Sequence, residues 1–86
     1  MADHRVDIRV RLKKGILDPQ AEAIHAALKR LKFDQVKDLS VEKSFVVTIA
    51  AATEGEALNT ARSMARDLLA NIVMEDFDLH IVTDED

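Results

Sequence analysis

The chain has 86 residues, of which 48% are hydrophobic and 33% charged, and its net charge is −4. A chain of this length forms one small core, so residues 1–86 are predicted to be a single domain. So small a core favours oligomerisation as a source of further burial. The absence of cysteine excludes disulfides, thiolate metal sites and a cysteine nucleophile. The net negative charge argues against nucleic-acid binding, which depends on clustered Lys and Arg.

The N-terminus has no apolar signal core, and no stretch approaches the roughly 20 apolar residues that a membrane helix requires. The sequence therefore predicts a cytoplasmic protein that does not enter a membrane. Only Phe33, Phe45 and Phe77 are aromatic, so the chain is poor in the stacking residues with which sheets bind RNA.

The first predicted strand covers residues 5–13, where apolar and charged residues alternate with a period of two. Most of these charges are positive. A solvated face is favoured over a basic strip that binds a phosphate or an acidic partner, because the chain as a whole is acidic. Lys14 and Gly15 end this strand.

The first helix is predicted to begin after Asp18, whose carboxylate can accept hydrogen bonds from free backbone N–H groups. Pro19 fits the first helical position, where no N–H group is needed. The helix is predicted to end near residues 32–34. Its buried stripe consists of apolar residues at helical spacing, namely Ala21, Ile24, Ala27, Leu28 and Leu31.

A second strand is predicted at residues 36–41, with Leu39 and Val41 facing inward. The polar residues 42–44 predict a hairpin into a third strand at residues 45–51. This third strand is apolar on both faces, whereas a strand covered on one side alternates with polar residues. A second chain is therefore predicted to cover its other face, which consists of Val46, Thr48 and Ala50.

Thr53 and Glu56 have the spacing of a capping box and begin the second helix. Its wide apolar stripe comprises Ala57, Leu58, Ala61, Met64, Ala65, Leu68 and Leu69. Asn71 is a residue type that commonly ends helices, and the apolar run 72–74 follows it without Gly or Pro. Connectors are normally polar, so this one is predicted to pack against its own chain or another.

The last predicted strand includes Phe77, Leu79 and Ile81, and the acidic tail, residues 83–86, is predicted to fray. The element order is then β-α-β-β-α-β. This order predicts an α+β fold of the ferredoxin-like class, in which two helices form a layer on one face of an antiparallel sheet. We expect the domain to be oligomeric.

No arrangement of residues marks a catalytic site. His4, His25 and His80 lack the spacing of metal ligands. Glu75 and Asp76 are adjacent in an extended segment, where neighbouring side chains point to opposite faces. Neither a nucleophile elbow nor a glycine-rich loop is present. The chain is therefore predicted to contain no catalytic residue, no cofactor-binding residue and no metal site.

Two segments together resemble the PurS family, the small subunits of phosphoribosylformylglycinamidine synthase. Residues 16–20 match a family pattern of one hydrophobic residue and Leu-Asp-Pro-Gln before a helix. Residues 68–77 match Leu-Leu-Ala-Asn-Pro, two hydrophobic residues and Glu-Asp-Tyr. The chain has Ile72 and Phe77 where the family usually has Pro and Tyr, and Glu42 and Lys43 where its hairpin commonly reads Gly-Lys. The resemblance covers nearly the whole chain.

The resemblance implies a part in purine biosynthesis, within a ligase complex that converts formylglycinamide ribonucleotide, glutamine and ATP into formylglycinamidine ribonucleotide, glutamate, ADP and phosphate. A glutaminase subunit releases ammonia, and a large synthetase subunit, where ATP and Mg are expected, activates the amide oxygen. The small subunit assembles these two and assists ammonia transfer without chemistry of its own. A homodimer or a homotetramer is expected.

Ten residues are hypothesised to contact partner subunits or further copies of the chain: Leu17, Asp18, Pro19, Gln20, Val46, Thr48, Ala50, Asn71, Ile72 and Glu75. The competing interpretation is structural, with Asp18 acting only as a helix cap and Leu68 and Leu69 only as core. The alternative function is a free-standing regulatory module of ferredoxin-like fold that binds a small effector between protomers. Such an effector would raise the apparent stability, because it binds only the folded form.

Overall fold

The computed structural model of the chain describes residues 1–83. Its elements are β1 (Ala2–Leu12), α1 (Pro19–Arg30), β2 (Lys43–Ala51), α2 (Glu54–Met64), a π-helical turn (Ala65–Leu69) and β3 (Glu75–Val82). The strands form one antiparallel sheet in the order β2-β1-β3. The predicted α+β class with an antiparallel sheet is thus confirmed. The predicted frayed tail lies, from residue 84 onward, outside the described residues.

The core lies between the sheet and α2. The central strand supplies Val6, Ile8 and Val10, whose side chains are almost completely buried. The side of α2 that faces them carries Ala57 and Ala61, which are also fully buried, and such small side chains allow the helix to approach the strands closely. Burial of each aliphatic side chain contributes roughly 1.5–3 kcal/mol, so the alternating apolar residues of β1 stabilise the packing of α2 on this strand.

Both helices begin where the sequence predicts. The backbone N–H of Gln20 donates to Asp18 Oδ1 at 2.9 Å, and that of Glu56 donates to Thr53 Oγ1 at 3.1 Å. Glu56 Oε2 in turn accepts a hydrogen bond from the backbone N–H of Ala52 at 3.2 Å. These bonds satisfy N–H groups that have no partner inside a helix.

The end of α1 is a Schellman turn without glycine. Lys32 has a positive φ of 74°, the left-handed conformation that glycine adopts at this position in most such turns. The backbone N–H of Phe33 donates to the carbonyl of Leu28 at 3.0 Å, and that of Lys32 donates to Lys29 at 3.0 Å. The helix therefore ends slightly before the predicted residues 32–34.

The predicted second strand and hairpin are wrong. Residues 36–42 belong to no strand ladder and continue into β2 without a turn or bend. The pair Val10–Lys43 is the last of the β1–β2 ladder. Residues 36–42 therefore extend β2 beyond the end of the sheet, where no strand of the same chain lies beside them. Their alternating pattern is that of a strand, but a strand also needs a neighbour.

We call α1, its C-terminal turn and residues 36–42 together the arm (residues 19–42). Helix α2 packs on all three strands, whereas α1 lies beside residues 38–42, and His25 Nε2 donates to the carbonyl of Val36 at 3.2 Å. Of the predicted buried stripe of α1, only Ala21 is buried, while Ile24 and Leu31 are exposed. The prediction of a buried stripe is thus wrong for the single chain, because the sheet does not extend beneath the arm.

The π-helical turn corrects a further prediction. The backbone N–H of Ala70 donates to the carbonyl of Ala65 at 2.8 Å, a spacing of five residues that widens the last turn of the helix. This turn directs Ala70 into the core and leaves the side chain of Leu68 83% exposed. Leu68 is therefore not a core residue, although its helical spacing predicted one, and Met64 is also exposed.

Candidate interaction site

Two segments far apart in sequence meet where β1 ends. The backbone N–H of Ile16 donates to the carbonyl of Lys13 at 3.1 Å, and the N–H of Lys13 donates to the carbonyl of Met74 at 2.8 Å. Residues 16–20 and the connector, residues 71–74, are thereby held on either side of the last residues of β1. We call this convergence the junction. It unites the two segments on which the family resemblance rests.

Glu75 fixes the connector within the junction. Its side chain is only 13% exposed, and its Oε1 accepts a hydrogen bond from the backbone N–H of Asn71 at 2.8 Å. Lys43 Nζ lies 3.4 Å from its Oε2. Asn71 Oδ1 accepts a hydrogen bond from the backbone N–H of Val73 at 3.1 Å. Asn71 and Glu75, both hypothesised contact residues, therefore have partners within the chain that close the connector turn.

Asp18 and Gln20 face Glu75 across a small cavity of about 260 Å³, which Leu12 and Val41 also line. A larger cleft of about 520 Å³ opens beside it, between α1 and residues 38–42. Leu17 lines this second cleft, and most of its side chain is exposed. The structure therefore brings together four hypothesised contact residues of the two segments: Leu17, Asp18, Gln20 and Glu75.

Beside the junction lies a group of exposed apolar side chains that we call the connector patch: Leu68, Ile72, Val73 and Met74. Leu68 is 83% and Val73 79% exposed. Four such side chains within seven residues are unusual on a monomer surface and are typical of a protein contact. The hypothesised contact residues included Ile72 but not the other three. The signal for Val73 and Met74 in the sequence is the apolar run 72–74 in a connector, whereas Leu68 has the helical spacing of a core residue.

Val46, Thr48 and Ala50 lie apart from the junction. They occupy β2 on the face of the sheet opposite α2, and in the β1–β2 register they pair with Asp7, Arg5 and Asp3. All three are exposed, Val46 with 53% of its surface. The structure thus separates the hypothesised contacts into two surfaces, and the covering of this second surface by another chain stays a prediction.

Arg11 at the end of β1 and Lys13 just after it are each close to an acidic residue of β3. Arg11 Nη1 donates to Asp78 Oδ2 at 2.6 Å, and this contact raises the pKa of Arg11 and lowers that of Asp78. Lys13 Nζ lies 3.7 Å from Asp76 Oδ1. The face is therefore mixed in charge rather than basic, as the interpretation of a solvated face predicts.

Asp7 is the buried acid of this face. It accepts hydrogen bonds from Ser44 Oγ at 2.5 Å and from Arg9 Nε at 2.9 Å. The Ser44 hydrogen bond, with help from Arg9 and His80, holds the pKa of Asp7 below its ordinary value, although burial acts in the opposite direction. No pattern in the sequence distinguishes this acid from its exposed neighbours, because its burial depends on β2 and β3 lying beside it.

Within residues 1–83, no cluster of three or more His, Asp or Glu side chains could hold a metal ion. His4 and His25 each donate a ring N–H to a backbone carbonyl at 3.2 Å, those of Ala51 and Val36 respectively. No helix in this part of the chain is long and apolar enough to span a bilayer. The junction and the connector patch are therefore assigned by their packing and exposure rather than by reactive groups.

Comparisons with known proteins agree on one family. The sequence model "PurS: Phosphoribosylformylglycinamidine (FGAM) synthase" matches residues 5–83. The phosphoribosylformylglycinamidine synthase subunit PurS of Archaeoglobus fulgidus is 37% identical over 73 residues, which cover 85% of this chain and 91% of the relative. The crystal structure of Methanocaldococcus jannaschii PurS matches with a TM-score of 0.84 at 29% identity, over 93% of this chain and 96% of that one.

A third similar structure is that of PurLQS from Thermotoga maritima. Its matching chain has a TM-score of 0.88 and 26% identity, and the match covers 95% of this chain and all of that one (100%). A match over 95% of the chain leaves out too few residues to omit the arm, residues 19–42. The shape of the single chain, with its arm extended, is therefore shared with solved members of the family.

Proposed function

The chain belongs to the PurS family of phosphoribosylformylglycinamidine synthase subunits, and we propose that it is the non-catalytic subunit that joins the glutaminase and synthetase subunits of this synthase. The complex forms formylglycinamidine ribonucleotide from formylglycinamide ribonucleotide, glutamine and ATP in purine biosynthesis. The match of the family's sequence model to residues 5–83 carries this proposal. We treat residues 1–86 as one PurS-like domain and place it in the cytoplasm.

The reaction is assigned to the partner subunits. We place glutamine hydrolysis in the glutaminase subunit and ATP with Mg in the synthetase subunit. The charged residues of the junction support this division, because Asp18 caps α1 and Glu75 binds the backbone of Asn71. Carboxylates engaged in this way are poor general bases, since proton transfer would break the bonds that hold the fold.

The connector patch supports docking to one of these partners. Ile72, Val73 and Met74 are exposed on a turn that Glu75 and Asn71 hold in place, and Leu68 is exposed on the preceding π-helical turn. Little conformational entropy is therefore lost when a partner covers the patch. A rigid apolar patch fixes the orientation of the bound subunit. Two enzymes held in a fixed orientation can pass ammonia between their active sites without releasing it into the solvent.

The test replaces the two most exposed residues of the patch, Leu68 and Val73, with Gln. Both side chains are largely exposed in the single chain, so the fold should be retained. We expect the variant to bind its partner about a hundredfold more weakly, since the burial of two aliphatic side chains, roughly 3 kcal/mol, is lost. Glutamine-dependent synthesis should fall in parallel at limiting protein concentrations, whereas ammonia-dependent synthesis by the synthetase subunit should be unchanged.

Arg66→Gln is the matched control, because Arg66 is an exposed residue of the same π-helical turn. It should leave both activities unchanged. If the double variant remains folded and supports glutamine-dependent synthesis as well as the control does, the connector patch is not the docking surface.

We also propose that the chain is a homodimer or a homotetramer. Its radius of gyration is 16.4 Å, whereas a compact domain of this length has about 12 Å. An isolated helix as short as α1 is marginally stable in water, yet Ile24, Leu31 and the neighbouring Phe33 are exposed on the arm. A further copy of the chain would supply the missing burial.

A further inference from the structure

The arm and the connector enter the sheet at the same end. The arm continues into β2 at Lys43, and the connector continues into β3 at Glu75. Central strand β1 ends between them, because Lys43 pairs with Val10 and Glu75 pairs with Leu12. The order β2-β1-β3 keeps β2 and β3 from sharing a ladder. A direct contact between the two entry points therefore requires side chains that reach across β1.

Lys43 and Glu75 make this contact. Paired residues of an antiparallel sheet have their side chains on the same face, so both lie on the face that carries the core residue Val10. Lys43 Nζ lies 3.4 Å from Glu75 Oε2. The Lys43 side chain is more than half exposed, whereas that of Glu75 is largely buried. The cation thus reaches from the solvent to a shielded carboxylate.

The other oxygen of Glu75 closes the connector turn. Glu75 Oε1 accepts a hydrogen bond from the backbone N–H of Asn71 at 2.8 Å. The carbonyl of Asn71 accepts hydrogen bonds from the backbone N–H groups of Met74 at 2.9 Å and of Glu75 at 2.7 Å. The patch residues Ile72, Val73 and Met74 are therefore part of a turn whose two ends are joined through one carboxylate.

The ion pair determines how this carboxylate is oriented. While Lys43 holds Oε2, Oε1 is directed at the backbone N–H of Asn71. Among the described residues, Lys43 is the only cation paired with Glu75. A largely buried carboxylate that loses its cation is no longer compensated for its lost hydration, so rotation of its side chain towards the solvent becomes favourable. The N–H of Asn71 then loses its acceptor, and the turn opens more often.

We propose that Lys43 is a positioning residue for partner docking: through Glu75 it keeps the connector patch in the conformation that a partner subunit binds. Lys43 is also the residue at which the arm enters the sheet, so one side-chain contact links the arm to the docking surface. This inference rests on the proposed docking at the connector patch. It assigns an effect on docking to a residue outside that patch.

Lys43→Met tests the inference, because it keeps an unbranched side chain and removes the charge. The Lys43 side chain is well exposed, so the fold should be retained. In the chain alone, the amide hydrogen of Asn71 should exchange about fivefold faster, which corresponds to about 1 kcal/mol. The partner subunit should bind about fivefold more weakly. Glutamine-dependent synthesis should then fall at limiting concentrations of the chain and recover at saturating ones, and Lys43→Arg should retain both properties.

Lys13→Met is the matched control. Lys13 Nζ also lies near an acidic residue, 3.7 Å from Asp76 Oδ1, and both side chains are well exposed. The hydrogen bond from the backbone N–H of Lys13 to the carbonyl of Met74 does not depend on the Lys13 side chain. This variant should leave both the exchange rate of Asn71 and the affinity for the partner unchanged.

Two results would overturn the inference. Unchanged exchange of the Asn71 amide in Lys43→Met would show that Lys43 does not hold the connector. Faster exchange with unchanged affinity for the partner would show that docking does not depend on this conformation. Failure of the proposed docking itself is distinguishable, because the variant with Gln at positions 68 and 73 would then bind the partner as tightly as its control does.

Discussion

Replacement of Glu75 by Ala tests whether this carboxylate holds the junction together. Its largely buried side chain accepts a hydrogen bond from the backbone N–H of Asn71 at 2.8 Å. Hydrogen bonds to charged groups contribute roughly 1.5–3 kcal/mol. The ion pair with Lys43 adds no more than roughly 1 kcal/mol, because the Lys43 side chain is 57% exposed. Glu75→Ala should therefore lower the free energy of unfolding by about 2–3 kcal/mol.

The assay is urea denaturation at pH 7 and one fixed protein concentration, since the stability of an oligomer depends on concentration. Asp76→Ala is the control: its carboxylate is also near a lysine, 3.7 Å from Lys13 Nζ, but is well exposed. This control should change the free energy by no more than about 0.5 kcal/mol. If Glu75→Ala costs no more than Asp76→Ala, Glu75 does not hold the junction.

Three further substitutions test local features of the fold. Lys32→Gly should raise the free energy of unfolding by about 1 kcal/mol, because glycine adopts the positive φ of 74° at this position without strain; an unchanged or lower melting temperature would contradict this. Thr53→Ala should cost about 1 kcal/mol by removing the cap of α2, with Thr53→Ser as the control that retains it. The pKa of Asp7 is lowered in the folded state, so its stabilising effect is present above about pH 4 and is lost as the pH falls through the folded-state pKa. Asp7→Asn should therefore destabilise the protein at pH 7, and the difference should shrink towards pH 3; a difference that is constant with pH would refute the assignment.

The features that the sequence predicts correctly are those that depend on neighbours along the chain. The alternation in residues 5–13 locates β1 and its buried face, because only one arrangement hides all its apolar residues. Asp18 and Thr53 locate the helix starts for the same local reason, since each cap bonds to a backbone group two or three residues away. The similarity of residues 16–20 and 68–77 to one family is likewise local, and the junction brings the two segments together in space.

The features that the sequence does not predict depend on what lies beside a segment. Residues 36–41 have the pattern of a strand, but whether they pair depends on a neighbour that the single chain does not supply. The sequence does not predict the π-helical turn, because the apolar residues of α2 and of this turn keep the spacing of a regular helix. Leu68 therefore has the pattern of a core residue, although the wider turn leaves it exposed. The burial of Glu75 depends on Asn71 and Lys43, which approach it only in the folded sheet.

The most direct test of the central claim is reconstitution of the synthase from purified glutaminase and synthetase subunits, with and without this chain. Formation of formylglycinamidine ribonucleotide is measured with glutamine and, separately, with ammonium as the nitrogen source. We predict that glutamine-dependent synthesis requires this chain, while ammonium-dependent synthesis proceeds at the same rate in its absence. Glutamine-dependent synthesis at the full rate without the chain would contradict the proposed function.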